Sequence, residues 1–340
     1  MKRLYSLLLW LLIPLAVLAE YSVPLVEDYS SNKTIEATVN GIKVLFAFDT
    51  GSTSLLLNRN IFDELVKKGQ IKEADLSTEK EAEMANGETH LVRSFTVKRL
   101  QVGECVLRNI QASVGVNDQP DATPLFGQTV LERFSSYTVK NNRFYFQPKS
   151  DEEQDALCIA HRLRKDTTRV NNQKIVDALK PFVKHLSPRY MIIYADALSN
   201  TNAYEQAIRI YRQLLESDSF IDDDNTIRVH IINAEVGLAE DLYDKKSYEA
   251  CEQLLKQIIE ESKKPVYDYG VQYGYYSLCF VYLQQKDYKK AEKTIKEFEG
   301  YTTLPDARLA QLYQYMHQYY TSIDDDTNAQ KYKKLSEQAE

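Results

Sequence analysis

From residue 21 to about residue 148, apolar side chains alternate with polar ones, as in Thr34-Ile35-Glu36-Ala37-Thr38-Val39, Val44 to Phe48 and Phe95-Thr96-Val97. A period of two places alternate residues on one face of a strand, so these runs read as half-buried strands. Asn40-Gly41 and Asn86-Gly87 are dipeptides that reach positive φ cheaply and predict tight hairpins. Several short strands so punctuated predict a small β-barrel or sandwich rather than a parallel sheet. Near Ser150 the pattern changes. Residues 149–155 are polar and acidic, and beyond them apolar residues recur at helical spacing almost to residue 340. The second half is therefore predicted to be all-α.

Within that half a spaced pattern recurs. Ala207 follows Tyr204 by three positions, Cys251 follows Tyr248, Ala291 follows Tyr288 and Ala329 follows Asp326, and these anchors are 44, 40 and 38 residues apart. Twelve residues before each anchor stand Ala195, Ala239, Cys279 and His317, and three further on come Leu198, Leu242, Tyr282 and Tyr320. Small residues that let two helices approach, alternating with large ones that fill the gaps, mark stacked antiparallel helix pairs. The register resembles the tetratricopeptide repeat family over roughly residues 189–340, which implies an array that recruits a protein partner or substrate. The last repeat departs most, with His317 at a small site and Lys333 and Ser336 at apolar ones, as in a polar terminal cap.

Nineteen of the 24 tyrosines lie in the helical half. They read either as core fillers whose hydroxyls reach the surface or as an aromatic groove for peptide segments. Asp222-Asp223-Asp224 and Asp324-Asp325-Asp326 lack the spaced ligands and glycine of a calcium loop and read as solvated turns.

Composition narrows the function. The 42 Lys and Arg against 49 Asp and Glu leave a net charge of −7, which excludes a general nucleic-acid binder that must neutralise phosphates. Residues 1–19 join Lys2 and Arg3 to an apolar run from Leu7 to Leu18 and a Val17-Leu18-Ala19 ending, the pattern of a secretory signal peptide. The expectation is an exported, soluble chain, periplasmic or extracellular in a bacterial envelope, touching the membrane only if that segment stays uncleaved. The four cysteines, Cys105, Cys158, Cys251 and Cys279, form no Cys-x-x-Cys pair, and the histidines form no zinc pattern. Cys251 and Cys279 occupy small-residue sites and read as buried thiols, with a disulfide as the alternative. No metal and no organic cofactor are expected.

The chemistry is expected at Asp49. The apolar run Val44 to Phe48 leads directly into Asp49-Thr50-Gly51-Ser52, then Ser54-Leu55-Leu56-Leu57. Alone, an Asp-Thr-Gly after a strand is also an ordinary turn. Downstream come Met84-Ala85-Asn86-Gly87-Glu88, a strand junction at residues 100–104, and Leu125-Phe126-Gly127 followed by Gln128-Thr129-Val130-Leu131. In that order the elements resemble the retropepsin-like (clan AA) aspartic proteases over about residues 25–148. The resemblance implies an all-β, closed-barrel protease domain at 20–148, a helical linker or cap at 149–188 and the repeats at 189–340. It also implies that Asp49 is the catalytic aspartate, Thr50 bonds across a dimer, Gly51 lets two loops approach and Ser52 supports the carboxylate. Met84, Ala85, Asn86, Gly87 and Glu88 would form a substrate-covering flap, and Leu125, Phe126 and Gly127 would pack behind the catalytic loop. Asn86-Gly87 also reads as a plain exposed hairpin.

Peptide hydrolysis by this route needs two carboxylates sharing a proton, and the chain holds one Asp-Thr-Gly. A homodimer through the protease domain, with two Asp49 face to face, would supply the pair. The expected activity is an exported aspartic endopeptidase. The alternative is a non-catalytic dimeric scaffold built on the same two domains.

Overall fold

The computed structural model describes residues 21–27, 32–83, 89–116, 119–165, 168–217, 224–263, 267–302 and 306–340. The proposed signal segment lies outside these residues, as does the whole of Met84–Glu88. The chain divides into two compact units, residues 1–158 and 159–340.

The first unit contains eleven strands among its described residues: β1 (Tyr21–Pro24), β2 (Val26–Glu27), β3 (Lys33–Val39), β4 (Ile42–Phe48), β5 (Leu55–Leu57), β6 (Lys80–Glu83), β7 (Thr89–Val102), β8 (Cys105–Gly115), β9 (Leu125–Phe126), β10 (Phe134–Lys140) and β11 (Arg143–Pro148). Helices α1 (Arg59–Lys67), α2 (Gln128–Leu131) and the first part of α3 (Asp151–Leu163) accompany them. The unit is thus β-rich rather than all-β. Eight strands form one sheet in the order β2-β3-β4-β9-β5-β8-β7-β6, and β3 also pairs with β7, so the sheet folds back on itself. A second sheet, β1-β11-β10, stands apart, and the closed barrel is only partly realised.

The turn chemistry follows the residues. Asn40 and Gly41 have φ of 46° and 91° and join β3 to β4 with Val39 opposite Ile42. Asn141 and Asn142, at 52° and 53°, do the same between β10 and β11, because asparagine tolerates the left-handed region better than other residues with a side chain. The alternating apolar residues fill one core, in which Phe46, Phe126, Phe144 and Phe146 are fully buried. Phe126 stacks on Phe48 at 5.9 Å between centroids and meets Phe46 edge-on at 6.1 Å. An aromatic at this position fits because its neighbours are aromatic too.

The second unit holds the rest of α3 and helices α4 (Arg169–Leu179), α5 (Pro188–Asn200), α6 (Tyr204–Leu215), α7 (Asp224–Asp244), α8 (Tyr248–Ser262), α9 (Asp268–Gln284), α10 (Tyr288–Phe298), α11 (Ala307–Ser322) and α12 (Asp326–Ala339). Four helix pairs, α5–α6 to α11–α12, repeat one turn. Asn202, Lys246, Lys286 and Asp324 all take positive φ, between 57° and 67°. The next backbone N–H, of Ala203, Ser247, Asp287 or Asp325, returns to the carbonyl of Leu198, Leu242, Tyr282 or Tyr320 at 2.8–3.0 Å. This is a Schellman-type close built without glycine. The small anchors Ala207, Cys251, Ala291 and Ala329 are buried, as are Ala195, Ala239 and Cys279. The Cys251 thiol donates to the Ala239 carbonyl at 3.3 Å, and the four cysteines are free thiols. In the last pair His317 Nδ1 lies 2.9 Å from the Ala329 carbonyl. A carbonyl only accepts, so this nitrogen carries the proton. Ser336 is buried with its hydroxyl on the Ala310 carbonyl, while Lys333 is exposed and Tyr332 fills the core beside it.

Many tyrosines are core fillers with partnered hydroxyls. Tyr282 donates to Glu252 at 2.9 Å, Tyr313 to Glu299 at 2.8 Å and Tyr332 to Glu292 at 2.7 Å. No described helix is long and apolar enough to cross a membrane.

Candidate active site

The site is built where β4 ends. The β9 strand lies between β4 and β5, parallel to β4 with Ala47 opposite Leu125 and Phe48 opposite Phe126, and antiparallel to β5 with Leu56 opposite Leu125. The chain leaving β4 therefore arches over the end of β9 before entering β5. That arch is Asp49-Thr50-Gly51-Ser52-Thr53-Ser54. Its Asp49 N–H donates to the Phe126 carbonyl at 3.3 Å, extending the strand pairing to the aspartate.

The residue under the arch must be glycine. A Cβ on Gly127 would stand 2.3 Å from the Ser54 carbonyl oxygen, 2.5 Å from that of Ser52 and 2.9 Å from the Ser52 hydroxyl. Gln128, next along, ties the arch from below. Its backbone N–H donates to the Ser52 carbonyl at 2.8 Å, and its side-chain amide donates to the Thr50 carbonyl at 2.6 Å. Thr129, buried, accepts the Leu55 N–H and donates to the Gln111 carbonyl, both at 2.8 Å, so the far end of the arch is fixed as well. Gln128 and Thr129 thus hold the loop. The sequence signal for them is two polar residues immediately after Leu-Phe-Gly, where a helix of four residues begins.

The Asp49 side chain is held by its own loop. Oδ1 accepts the Gly51 N–H at 2.8 Å and the Ser52 N–H at 3.2 Å, which fixes the carboxylate plane through backbone donors. The Ser52 hydroxyl donates instead to the Ser54 carbonyl at 3.1 Å, so Ser52 meets the carboxylate through its backbone. Asp49 is half-buried, while Thr50 and Gly51 are exposed at the crest of the arch. Leu125 is half-buried and Phe126 fully buried beneath it. The structure thus brings Asp49, Thr50, Gly51, Ser52, Leu125, Phe126 and Gly127 together. The flap candidates Met84 to Glu88 lie outside the described residues, and the strands on either side, β6 and β7, pair antiparallel from Lys80 opposite Val92 to Glu83 opposite Thr89. Among the described residues, no group of three or more His, Cys, Asp or Glu is placed to hold a metal ion.

Residues 35–133 match the family model described as "gag-polyprotein putative aspartyl protease". The first unit is retropepsin-like. The matched stretch contains both sides of the site, Asp49-Thr50-Gly51 and Leu125-Phe126-Gly127. Among solved structures, a retropepsin-like aspartic protease from Rickettsia conorii is similar, at 24% identity and a TM-score of 0.30, over 37% of this chain and 98% of that one. MamA residues 41 to the end from Desulfovibrio magneticus RS-1 is similar at 16% identity and a TM-score of 0.34, over 55% of this chain and 94% of that one. A structure described as "Podosopora anserina putative kinesin light chain nearly identical TPR-like repeats" is similar at 12% identity and a TM-score of 0.32, over 56% of this chain and 96% of that one. No curated protein matches the chain in sequence. Behind the retropepsin-like unit, the four helix pairs with their repeated turns make the second unit a tetratricopeptide-like array.

Proposed function

We propose that the chain is an exported aspartic endopeptidase that acts as a homodimer, with its helical array recruiting substrate or a partner protein. One observation carries this reading: Asp49 is oriented by two backbone N–H groups of an arch whose crest, Thr50 and Gly51, is exposed. A carboxylate so held is ready to meet a second one, and an exposed Thr-Gly crest is a surface that a symmetric copy can approach. In the dimer one Asp49 carboxylate is ionised and takes a proton from the attacking water. The other, protonated, donates to the oxygen of the scissile carbonyl. Two carboxylates brought face to face repel when both are charged, which is why the mechanism has them share one proton.

Met84 to Glu88 serve in this reading as the flap that closes over the peptide and excludes water. The signal-like segment at residues 1–19 supports export.

The test is a mass-spectrometric screen of a mixed peptide library with the mature protein and its Asp49→Asn variant between about pH 4 and about pH 7. Cleavage by the unaltered protein alone is expected. Silence from both, in a sample shown to be folded and dimeric, would favour a non-catalytic scaffold.

A further inference from the structure

Along α9 the residues Tyr269, Tyr273, Tyr276 and Phe280 recur at intervals of four, three and four, which places them on one face of the helix. Their rings form a nearly continuous ladder. Tyr269 and Tyr273 have centroids 6.0 Å apart, Tyr276 meets Phe280 edge-on at 4.9 Å, and Phe280 meets Tyr315 of α11 edge-on at 5.4 Å. Glu240, Tyr243 and Asp244 of α7 form the facing wall, and between the walls lies a cavity of about 400 Å³. Its floor is low because the small repeat positions Ala239 and Cys251 line it.

The charge of this groove is one-sided. Of the residues lining it the charged ones are Glu240 and Asp244, both acidic; Lys245, beside Asp244 in sequence, is taken up by Asp241 in an ion pair, and α9 has no Lys or Arg at all. Arg308, from α11, is engaged by Asp306 at 3.0 Å and by Gln272 at 2.6 Å. The outer helix α10, by contrast, carries Lys289, Lys290, Lys293 and Lys296. The Tyr273 hydroxyl donates to Glu240 at 3.2 Å and the Tyr276 hydroxyl donates to Gln311 at 2.6 Å. These bonds fix the two ring planes and keep the Glu240 carboxylate at the rim.

Aromatic faces attract a cation through their quadrupole, and carboxylates at the rim add direct attraction. A neutral apolar segment would cover Glu240 and Asp244 with nothing to offset their charge, and an acidic one would be repelled by them. We propose that this groove binds a Lys- or Arg-bearing segment of the polypeptide that the array recruits, with the cationic head between the α9 rings and the α7 carboxylates Glu240 and Asp244. The inference rests on the recruiting role given to the array above and is independent of catalysis by Asp49.

The experiment uses the full mature chain carrying Asp49→Asn and three fluorescein-labelled nine-residue peptides, one rich in Lys and Arg, one rich in Glu and one neutral, read by fluorescence anisotropy. The basic peptide is expected to bind and the others not. Phe280→Leu, which keeps apolar volume but removes a ring, and the pair Glu240→Gln with Asp244→Asn should each weaken binding about tenfold or more. Tyr273→Phe, which keeps the ring, should retain it. The pair Glu249→Gln with Glu337→Gln removes the same charge outside the groove and should change affinity less than about twofold. Circular dichroism of each variant checks that the helices persist. Tighter binding of the Glu-rich or neutral peptide would overturn the basic preference while leaving a recruiting array. Equal weakening by both charge pairs, or no binding by any peptide, would overturn the groove itself.

Discussion

Glu235 is the residue whose chemistry departs furthest from its ordinary behaviour among the carboxylates of the array. Only 1% of it is exposed, and its Oε1 accepts from Arg212 at 2.8 Å and from Gln257 at 3.0 Å. Burial pushes its pKa up and the Glu261 carboxylate adds to the push, while Arg212 pulls it back, leaving it raised from 4.5 to about 7. A carboxyl raised in the folded state costs nothing below its unfolded pKa, where both states hold the proton. Between about pH 4.5 and about pH 7 the unfolded chain ionises first, so stability falls as pH rises, by roughly 3 kcal/mol in all. The melting temperature of the helical unit should therefore be higher near pH 5 than near pH 8, and Glu235→Gln should flatten that slope in a calorimetric pH series. An unchanged slope in the variant would assign the titration to other groups. Nothing in the sequence marks Glu235 apart from its neighbours, because its burial arises from α6 and α8 packing over it.

At the scale of elements, α3 is the instructive case. Residues 149–155 are polar and acidic and open the stretch read from sequence as a helical linker or cap, yet they are fastened to the retropepsin-like unit. Arg133, 1% exposed, donates to the Gln154 carbonyl at 2.7 Å and to the Asn109 carbonyl at 3.2 Å. The Lys149 N–H returns to the Arg133 carbonyl at 2.9 Å, the Gln154 amide donates to the Lys149 carbonyl at 3.0 Å, and Lys149 pairs with Glu153 in the same buried cluster. The domain expected to end at 148 thus shares its interior with the first turns of α3, and the compact unit runs to Cys158. A chain ended after Pro148 strips the buried Arg133 guanidinium of one of its two carbonyl partners, a loss on the order of 1.5–3 kcal/mol, whereas one ended after Lys165 keeps it. Thermal melts followed by circular dichroism should show the longer chain folding cooperatively and the shorter one melting much lower or not folding. Equal melting of the two would mean that the cluster contributes nothing.

The helix pairs show the converse. Their spacing was legible from small and large residues alone, because a close helix crossing admits only small side chains. The turns that close each pair were not. Lys246 and Lys286 adopt positive φ with side chains that ordinarily avoid it, and the returning backbone hydrogen bonds from Ser247 and Asp287 explain why the conformation is held.

For the whole molecule, the proposed mechanism makes activity a property of two chains. Below the dimer dissociation constant, the rate per chain should fall in proportion to concentration, and a dilution series paired with sedimentation measures both quantities. A constant rate per chain where only monomer sediments would remove the shared-proton mechanism. Asp49→Asn should leave the sedimentation profile nearly unchanged, since the asparagine oxygen still accepts the Gly51 and Ser52 N–H groups.

What the sequence determined by itself was local and periodic: the alternation that makes strands, the Asn-Gly turn at Asn40, the recurring small residues of the helix pairs, and an Asp-Thr-Gly placed directly after an apolar run. Each depends on neighbours within a few residues or on a repeat that can be counted. What only the tertiary structure decided was non-local. It threaded β9 between β4 and β5 so that Gly127 lies under the Asp49 arch, turned Gln128 and Thr129 into its supports, buried Arg133 against α3 and set the α9 rings opposite the α7 carboxylates. These pairings join residues far apart in the chain, and packing selects them because buried polar groups must find partners and close backbones admit no Cβ.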